Sequence, residues 1–136
     1  MASFKEVKIP QKPPMVMVDK LIRADGGIVE TTFRIREDNI FCDEGIFTEP
    51  GLVENMAQTA AAGVGSKPDL DGKEPPVGFI GGIRNLKILQ YPVPGDELFT
   101  RITIEHEVFD ASVVLGEIFL KGEPIASCQL KIFLLK

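Results

Sequence analysis

Glu54 and Gln58 stand four residues apart in the segment "EPGLVENMAQTAAAGVG", residues 49 to 65, which is otherwise rich in small apolar side chains. Residues four apart share one face of a helix, so the carboxylate and the amide are expected to lie side by side. A carboxylate in mostly apolar surroundings can serve as a general acid or base. A purely structural explanation competes, because the helix dipole stabilises an acid near a helix start by up to about 1 kcal/mol.

Apolar stripes are expected on both sides of this polar pair. They are Leu52, Met56 and Ala60 on one side, and Val53, Ala57, Ala61 and Val64 on the other. Pro50 and Gly51 favour a helix start, and Gly63 and Gly65 favour its end. Small side chains let a helix approach a sheet closely, which indicates a central helix wrapped by a curved sheet.

Strands are predicted on both sides of this helix. "MVMVDKLIR" and "IVETTFRIR" flank "ADGG", whose glycines suit a hairpin turn, and residues 37 to 49 are predicted to form a loop. After the turn-rich "SKPDLDGKEPP", the pattern predicts four strands: "VGFIGGIRNLKIL", "ELFTRITIEHEV", "ASVVLGEIFL" and "IASCQLKIFLL". Gly81 and Gly82 indicate a bulge or a close backbone approach, and Pro94-Gly95 a type II turn. The prediction is one α+β domain, residues 1–136, with one helix and about six antiparallel strands.

Composition excludes several classes of function. The 136 residues carry 44% hydrophobic and 26% charged residues, as ordinary globular domains do, and the net charge of −5 argues against nucleic-acid binding. We expect a cytoplasmic protein, because no targeting segment and no membrane-spanning run is visible. The two cysteines, Cys42 and Cys128, show no metal spacing, and no phosphate loop or nucleotide motif occurs, so neither metal nor cofactor is expected.

Three stretches, in order, carry a family resemblance. "IPQKPPMVMVDKL" resembles a Pro-His segment followed by a hydrophobic strand and Val-Asp-Arg. "PGLVENMAQTAA" resembles a helix with a glutamate before Met-Ala-Gln, and "IRNLKILQYPVPGDEL" a strand with a Val-x-Pro-Gly-Asp turn. Together they are similar to the hot-dog-fold 3-hydroxyacyl-acyl-carrier-protein dehydratases of bacterial fatty-acid synthesis. "CDEG" and the short loop after it resemble the dehydratase-like subunits of aryl-polyene-type clusters.

The resemblance implies a fold, an assembly and a site. A sheet wraps one helix, two subunits join edge to edge, and an acyl tunnel lies along their interface. Glu54 matches the family's catalytic acid and Gln58 the glutamine of Met-Ala-Gln, while a backbone amide between Glu49 and Leu52 polarises the thioester carbonyl. The residues expected to bind substrate are Ile46, Phe47, Glu49, Pro50, Gly51 and Leu52 around the helix start, and Phe79, Gly81 and Gly82 on the next strand.

One departure from the family concerns its catalytic histidine, which precedes the helix in a Gly-His-Phe-Pro segment. Matching Gly45 and Phe47 to that segment places Ile46 at the histidine, and Gln11 replaces the histidine of the first stretch. Three explanations stay open. In the first, the site is rebuilt around Glu54 with Asp43, Glu44 or Glu49. In the second, a different hot-dog subunit supplies the histidine. In the third, catalysis is lost and the protein binds acyl carriers or stabilises a complex.

Other polar residues favour structural roles. Strict alternation places His106, the only histidine, on the inward face of its strand with Ile102 and Ile104, where a structural role is the commoner one. Asp19 and Asp96 are interpreted as structural hydrogen-bonding groups, and Cys42 as inert because no histidine lies near it. The basic residues of the first quarter are a possible docking patch for an acidic acyl carrier: Lys5, Lys8, Lys12, Lys20 and Arg23, with Arg84 and Lys87 as alternatives.

The sequence therefore predicts a dehydratase-like hot-dog protein acting on acyl thioesters of carrier protein or coenzyme A, in fatty-acid or polyene biosynthesis. We expect a homodimer or a heterodimer with another hot-dog subunit. Two rival hypotheses are a hot-dog thioesterase, in which Glu54 activates water, and a non-catalytic partner subunit.

Overall fold

The computed structural model describes residues 7–67 and 76–134, so most of the predicted "SKPDLDGKEPP" loop lies outside the described residues. In chain order the elements are β1 (Lys20–Asp25), β2 (Ile28–Arg34), β3 (Cys42–Asp43), β4 (Ile46–Phe47), α1 (Glu49–Gly65), β5 (Gly78–Ile88), β6 (Glu97–Val108), β7 (Ala111–Leu120) and β8 (Glu123–Leu134). Six strands form one antiparallel sheet in the order β1-β2-β6-β7-β8-β5. The predicted α+β arrangement, with one helix against this sheet, is confirmed.

The predicted hairpin of β1 and β2 is present, and Gly26 and Gly27 form its two-residue turn with φ values of 57° and 78°. The first strand starts five residues later than predicted, at Lys20. Residues 15 to 17 are instead held by side chains of α1, which take the hydrogen bonds that a longer strand would make.

A small ribbon replaces part of the loop predicted over residues 37 to 49. Strands β3 and β4 pair around Glu44 and Gly45, both with positive φ, which is the backbone of a type I′ hairpin turn. Two-residue strands are too short for alternation to reveal them in a sequence. This ribbon leads the chain into α1.

Small residues bring α1 close to the sheet, as predicted. A Cβ atom added to Gly63 would lie 2.5 Å from Val29 Cγ2 on β2, and one added to Gly116 on β7 would lie 2.6 Å from Met56 Sδ. Neither distance is possible for a real side chain without movement of its neighbour. The helix therefore packs at a separation that only glycine permits at these points.

Two bulges interrupt the sheet. The register of β5 against β8 shifts between Ile80 and Gly82, which confirms the bulge predicted at the glycine pair. The register of β6 against β7 shifts between Ile104 and His106, so one extra residue, Glu105, breaks the alternation. His106 then pairs with Val113 and is exposed, while Glu107 pairs with Ser112 and lines the interior cavity described below. The prediction that His106 faces the core is wrong, because a bulge reverses the faces beyond it.

Candidate functional site

Glu54 and Gln58 lie side by side on α1, with Gln58 Nε2 donating a 2.7 Å hydrogen bond to Glu54 Oε2. Gln58 is fully buried and also binds the chain before β1: its Nε2 donates to the Met15 carbonyl at 2.7 Å, and its Oε1 accepts from Met17 N at 2.6 Å. The amide thus fixes the carboxylate and the N-terminal segment together. The hydrogen bond predicted between the two side chains is present; their catalytic role stays a prediction.

A second buried polar network supports this arrangement. Asn55 donates to the Met17 carbonyl at 2.8 Å and accepts from Thr100 Oγ1 at 2.6 Å, while the Thr59 and Thr31 hydroxyls lie 2.8 Å apart. All these side chains are fully buried. The sequence carried a signal for the network, because Asn55 and Thr59 stand four apart inside a helix where the composition favours apolar residues. Its partners on β2 and β6 could not be read from that spacing.

Glu54 faces a cavity of about 1020 Å³ between one flank of α1 and the inner face of the sheet. The carboxylate belongs to a partly buried residue. The apolar walls are formed by Ala57, Ala60, Ala61 and Val64 of α1 and by Ile102, Ile104, Val114 and Ile132 of the sheet. Ala57, Ala61 and Val64 belong to one of the two predicted apolar stripes, whereas Ala60 belongs to the other. A carboxylate therefore borders an apolar space large enough for an organic ligand.

The residues predicted to bind substrate fall into three groups. Phe79 lines the cavity. Phe47 and Leu52 are fully buried core residues, and Gly51 is buried against the Phe47 ring, which a Cβ atom at position 51 would approach to 2.5 Å. The two side chains and the Gly51 backbone pack the helix start onto the core, and contact of these three residues with a substrate stays a prediction. The other five lie outside the cavity lining and stay predictions: Ile46, Glu49, Pro50, Gly81 and Gly82.

The acids proposed to rebuild the site do not meet Glu54. Asp43, Glu44 and Glu49 are exposed around the β3–β4 turn and the start of α1, and none lines the cavity. The other acidic residues that line it are Asp25, Glu107 and Asp110. Of these, Glu107 directly follows His106, so strict alternation would place it on the outer face, and the bulge at Glu105 turns it toward the cavity. The sequence alone could not reveal this, because bulges leave no mark in the hydrophobic pattern.

Gln11 also lines the cavity, at the position where the family's first histidine was expected. Its Oε1 atom is buried and accepts no hydrogen bond from the described residues. A buried acceptor of this kind is normally satisfied by water or by a neighbouring molecule.

The helix start offers few free amides. Leu52 N already donates to the Thr48 carbonyl at 3.2 Å, and Pro50 has no N–H group. Thr48 is the N-cap residue, but its hydroxyl donates to the Phe41 carbonyl at 2.6 Å instead of capping α1. Glu49 and Gly51 therefore keep the amides that best fit the predicted contact with a thioester oxygen.

Several residues given structural roles from the sequence have them. Asp19 Oδ2 accepts from Arg34 N at 2.7 Å, and Asp96 Oδ2 accepts from Val93 N at 2.9 Å across the predicted Pro94–Gly95 turn. Both cysteines are free thiols. Burial raises the pKa of the Cys42 thiol, and it raises the pKa of Cys128 to about 11. A raised pKa leaves little thiolate at neutral pH, which fits inert cysteines.

Two absences hold for residues 7–67 and 76–134. No group of three or more histidine, cysteine, aspartate or glutamate side chains there is placed to hold a metal ion. No helix there combines the length and hydrophobicity that crossing a membrane requires.

The architecture defines the class of protein: a single helix wrapped by a curved six-stranded antiparallel sheet is the hot-dog fold. Solved structures of this fold superpose on nearly the whole chain. The dehydratase heterocomplex ApeI:P from Xenorhabdus doucetiae aligns with a TM-score of 0.79 at 17% identity, covering 94% of this chain and 88% of that chain. A hypothetical thioesterase from Streptococcus pneumoniae, determined with coenzyme A, aligns with a TM-score of 0.66 at 15% identity, covering 85% and 84%.

Sequence comparison defines the family within this fold. The family model described as "ApeP-like: ApeP dehydratase" matches residues 5–135, and the chain belongs to this family. A curated relative is the 3-hydroxyacyl-[acyl-carrier-protein] dehydratase FabZ of Ligilactobacillus salivarius, 29% identical over 113 residues, 77% of this chain and 79% of the relative. FabZ of Roseobacter denitrificans is 34% identical over 104 residues, 69% of this chain and 65% of the relative. The predicted resemblance to hot-dog dehydratases of the aryl-polyene type is confirmed.

Proposed function

We propose that this chain takes part in the dehydration of 3-hydroxyacyl thioesters and that Glu54 is its proton-transferring residue. The observation that carries the proposal is the Glu54 carboxylate, held by Gln58 at the border of an apolar cavity. The family membership and the FabZ relatives support the reaction class, and they support acyl carrier protein or coenzyme A as the carrier of the substrate.

The reaction needs two proton transfers. A base removes the proton from C2, the C2–C3 double bond forms, and the C3–O bond breaks while an acid protonates the departing hydroxide to water. No electrons are exchanged with another molecule. Glu54 can perform one of these transfers, and general acid–base help of this kind is worth about 10²- to 10⁴-fold.

The second group is proposed to come from a partner subunit. His106 is the only histidine of the chain and lies exposed on the opposite face from the cavity, which argues against an imidazole supplied by a second copy of this chain. A different hot-dog subunit could supply it, and the structural similarity to the ApeI:P dehydratase heterocomplex supports such a pairing. We propose edge-to-edge pairing through β5, an outer strand of the sheet that exposes Phe79 and Ile83.

The docking site for an acidic carrier stays a proposal. Lys8 and Lys12 belong to the N-terminal segment that α1 binds, and Lys20 begins β1, whereas Lys5 lies outside the described residues. This segment borders the cavity at Gln11. A carrier held by these lysines would therefore stand close to the space that receives its acyl group.

Replacement of Glu54 by glutamine tests the proposal. We expect Glu54→Gln to lower kcat/KM for dehydration by at least about 10²-fold, because the amide keeps the shape and cannot exchange the proton. The assay uses the protein alone and with candidate hot-dog partners, and it follows formation of the 2-enoyl thioester. Glu123→Gln, an exposed carboxylate outside the cavity lining, and His106→Ala serve as controls and should keep full activity. Unchanged activity of the assembled Glu54→Gln complex would assign a non-catalytic role to this subunit.

Mass spectrometry of the carrier separates dehydration from hydrolysis. The structural similarity to a hypothetical thioesterase makes hydrolysis the second candidate. Dehydration leaves the acyl group on the carrier and lowers its mass by one water, whereas a thioesterase releases the carrier thiol.

A further inference from the structure

We propose that one flank of α1 acts as a molecular ruler for the acyl chain. Ala57, Ala61 and Val64 lie at increasing distances from Glu54 and determine the chain length that fits. The proposal rests on the proposed function, because it takes Glu54 as the point where C2 and C3 of the substrate are held. It assigns to the site a preference for acyl chains of about ten or more carbons in an extended conformation. It further identifies Ala61 as the residue that most directly determines this preference.

The three residues continue the line of Glu54 along the helix. Positions 54, 57, 61 and 64 are spaced by three, four and three residues, which keeps them on one helix face. All four side chains line the same cavity, and the lining continues to Ser66 beyond the end of α1. The cavity is thus elongated along the helix and does not end one turn from the carboxylate.

The walls along this length are apolar. Small side chains on the helix leave room for a ligand between the helix and the sheet. Ala57 and Ala61 contribute single methyl groups, and Ile102, Ile104 and Ile132 face them from the sheet. The cavity volume of about 1020 Å³ lies at the upper end of the range for small-molecule sites. A four-carbon acyl group would reach only the part of this lining next to Glu54.

The helix geometry gives the scale of the ruler. At a rise of about 1.5 Å per residue, Ala61 lies about 10 Å and Val64 about 15 Å beyond Glu54 along the axis. An extended chain advances about 1.2 Å per bond, as the backbone does over three bonds per residue. Ala61 therefore stands about eight carbons past the reacting centre, and Ala57 about four.

A large side chain at position 57, 61 or 64 should limit the accepted acyl chain to a length that increases in that order. We expect Ala61→Phe to keep kcat/KM for a four-carbon 3-hydroxyacyl thioester within about threefold and to lower it at least about 30-fold for a twelve-carbon one. Ala57→Phe should spare the four-carbon substrate and lower turnover of chains longer than about six carbons, and Val64→Phe should affect only chains longer than about fourteen carbons. The experiment measures all three variants, in the assembly that is active, with 3-hydroxyacyl thioesters of four to sixteen carbons.

Binding provides a second readout that does not depend on turnover. Saturated acyl thioesters of the same lengths are titrated against each variant in the Glu54→Gln background, so that loss of long-chain affinity alone is visible. If Ala61→Phe fails to fold, as thermal unfolding would reveal, Ala61→Leu and Val64→Phe carry the same test. The more conservative Ala61→Leu should also shorten the longest acyl chain that the site accepts, but by fewer carbons than Ala61→Phe.

Two results would overturn the ruler. One is a wild-type assembly that dehydrates four-carbon substrates and rejects those of ten carbons or more. The other is a uniform loss across all chain lengths in the folded Ala61→Phe variant. A wild-type assembly inactive with every chain length would instead contradict the proposed function, so the two failures are distinguishable.

Discussion

At the scale of single residues, Gln58 couples the candidate catalytic group to the position of the N-terminal segment. Its amide spans Glu54, the Met15 carbonyl and Met17 N, so one buried side chain satisfies both main-chain groups and orients the carboxylate. Hydrogen bonds to buried backbone groups matter mainly because leaving them unmade is costly. A change at this residue should therefore affect stability and activity together.

The Gln58→Leu variant tests this coupling. It leaves the Met17 N–H group and the Met15 carbonyl without their partner, and we expect the free energy of unfolding to fall by about 1–3 kcal/mol. Activity should also fall, because Glu54 loses its 2.7 Å hydrogen bond. Urea denaturation and steady-state kinetics measure the two effects. Gln129→Leu, which removes an amide bound to Glu105 at the exposed surface, should change stability by no more than about 0.5 kcal/mol. Equal denaturation midpoints for both variants would contradict the role of Gln58.

Residue types and spacing predicted the Glu54–Gln58 pair, but they did not predict the other hydrogen-bond partners of the Gln58 amide. The hydrogen bonds from Gln58 to Met15 and Met17 join residues more than 40 positions apart. Nothing in the local pattern around position 58 encodes such a partner. The same limit applies to the burial of Phe47 and Leu52, because their contacts with the core depend on the packing of distant segments.

At the scale of elements, the contact between α1 and β2 determines how closely the helix lies on the sheet. Gly63 faces Val29, whose two Cβ branches make it a stiff neighbour. Glycine inside a helix costs about 1 kcal/mol relative to alanine. Its presence at position 63 indicates that close packing of the helix on the sheet matters more than helix propensity there.

A double-mutant cycle at Gly63 and Val29 compares the helix propensity gained by alanine with the steric overlap that its Cβ atom creates. Gly63→Ala alone should destabilise the protein by about 1–2 kcal/mol, because the overlap with Val29 outweighs the gain in helix propensity. In a Val29→Ala background the same substitution should become neutral or stabilising, since the clashing methyl groups are gone. Denaturant unfolding of the four proteins gives the coupling energy. Additive effects would show that Gly63 and Val29 do not limit the approach of the helix.

At the scale of the whole molecule, the sheet ends in two edges, β1 and β5. The longer edge strand, β5, carries Phe79 at 50% and Ile83 at 45% exposure, with Val77 at 53% just before it. Unpaired edge strands with apolar side chains invite pairing with another chain. These features favour β5 as the place where a second hot-dog subunit joins.

The Ile83→Lys variant tests the assembly. A charge placed in an apolar interface is strongly unfavourable, and we expect the dimer dissociation constant to rise at least about 100-fold. Light scattering coupled to size-exclusion chromatography measures the mass, for the chain alone and for its mixture with a partner subunit. Val108→Lys, which changes a residue that is 61% exposed at the end of β6, should leave the mass unchanged. A dimer that survives Ile83→Lys and dissociates with Val108→Lys would place the interface elsewhere.

The sequence predicted the larger architecture better than its irregularities. Alternating strands, the proline and glycine at the start of α1 and the glycine turns were enough for the α+β fold and the order of its elements. Those signals are local and repeat over many residues. The β3–β4 ribbon and the extra residue in β6 are each too short to alter a pattern, and the cavity depends on side chains from elements far apart in the chain.

The extra residue in β6 has one more consequence. Loss of a single codon, that of Glu105, would place His106 directly after Ile104, so its imidazole would still point outward and Glu107 would still line the cavity. No substitution at position 106 brings a side chain to the cavity either, because that position points away from it with or without the extra residue. The chain is thus separated from a histidine of its own beside the cavity by the identity of one residue, at position 107.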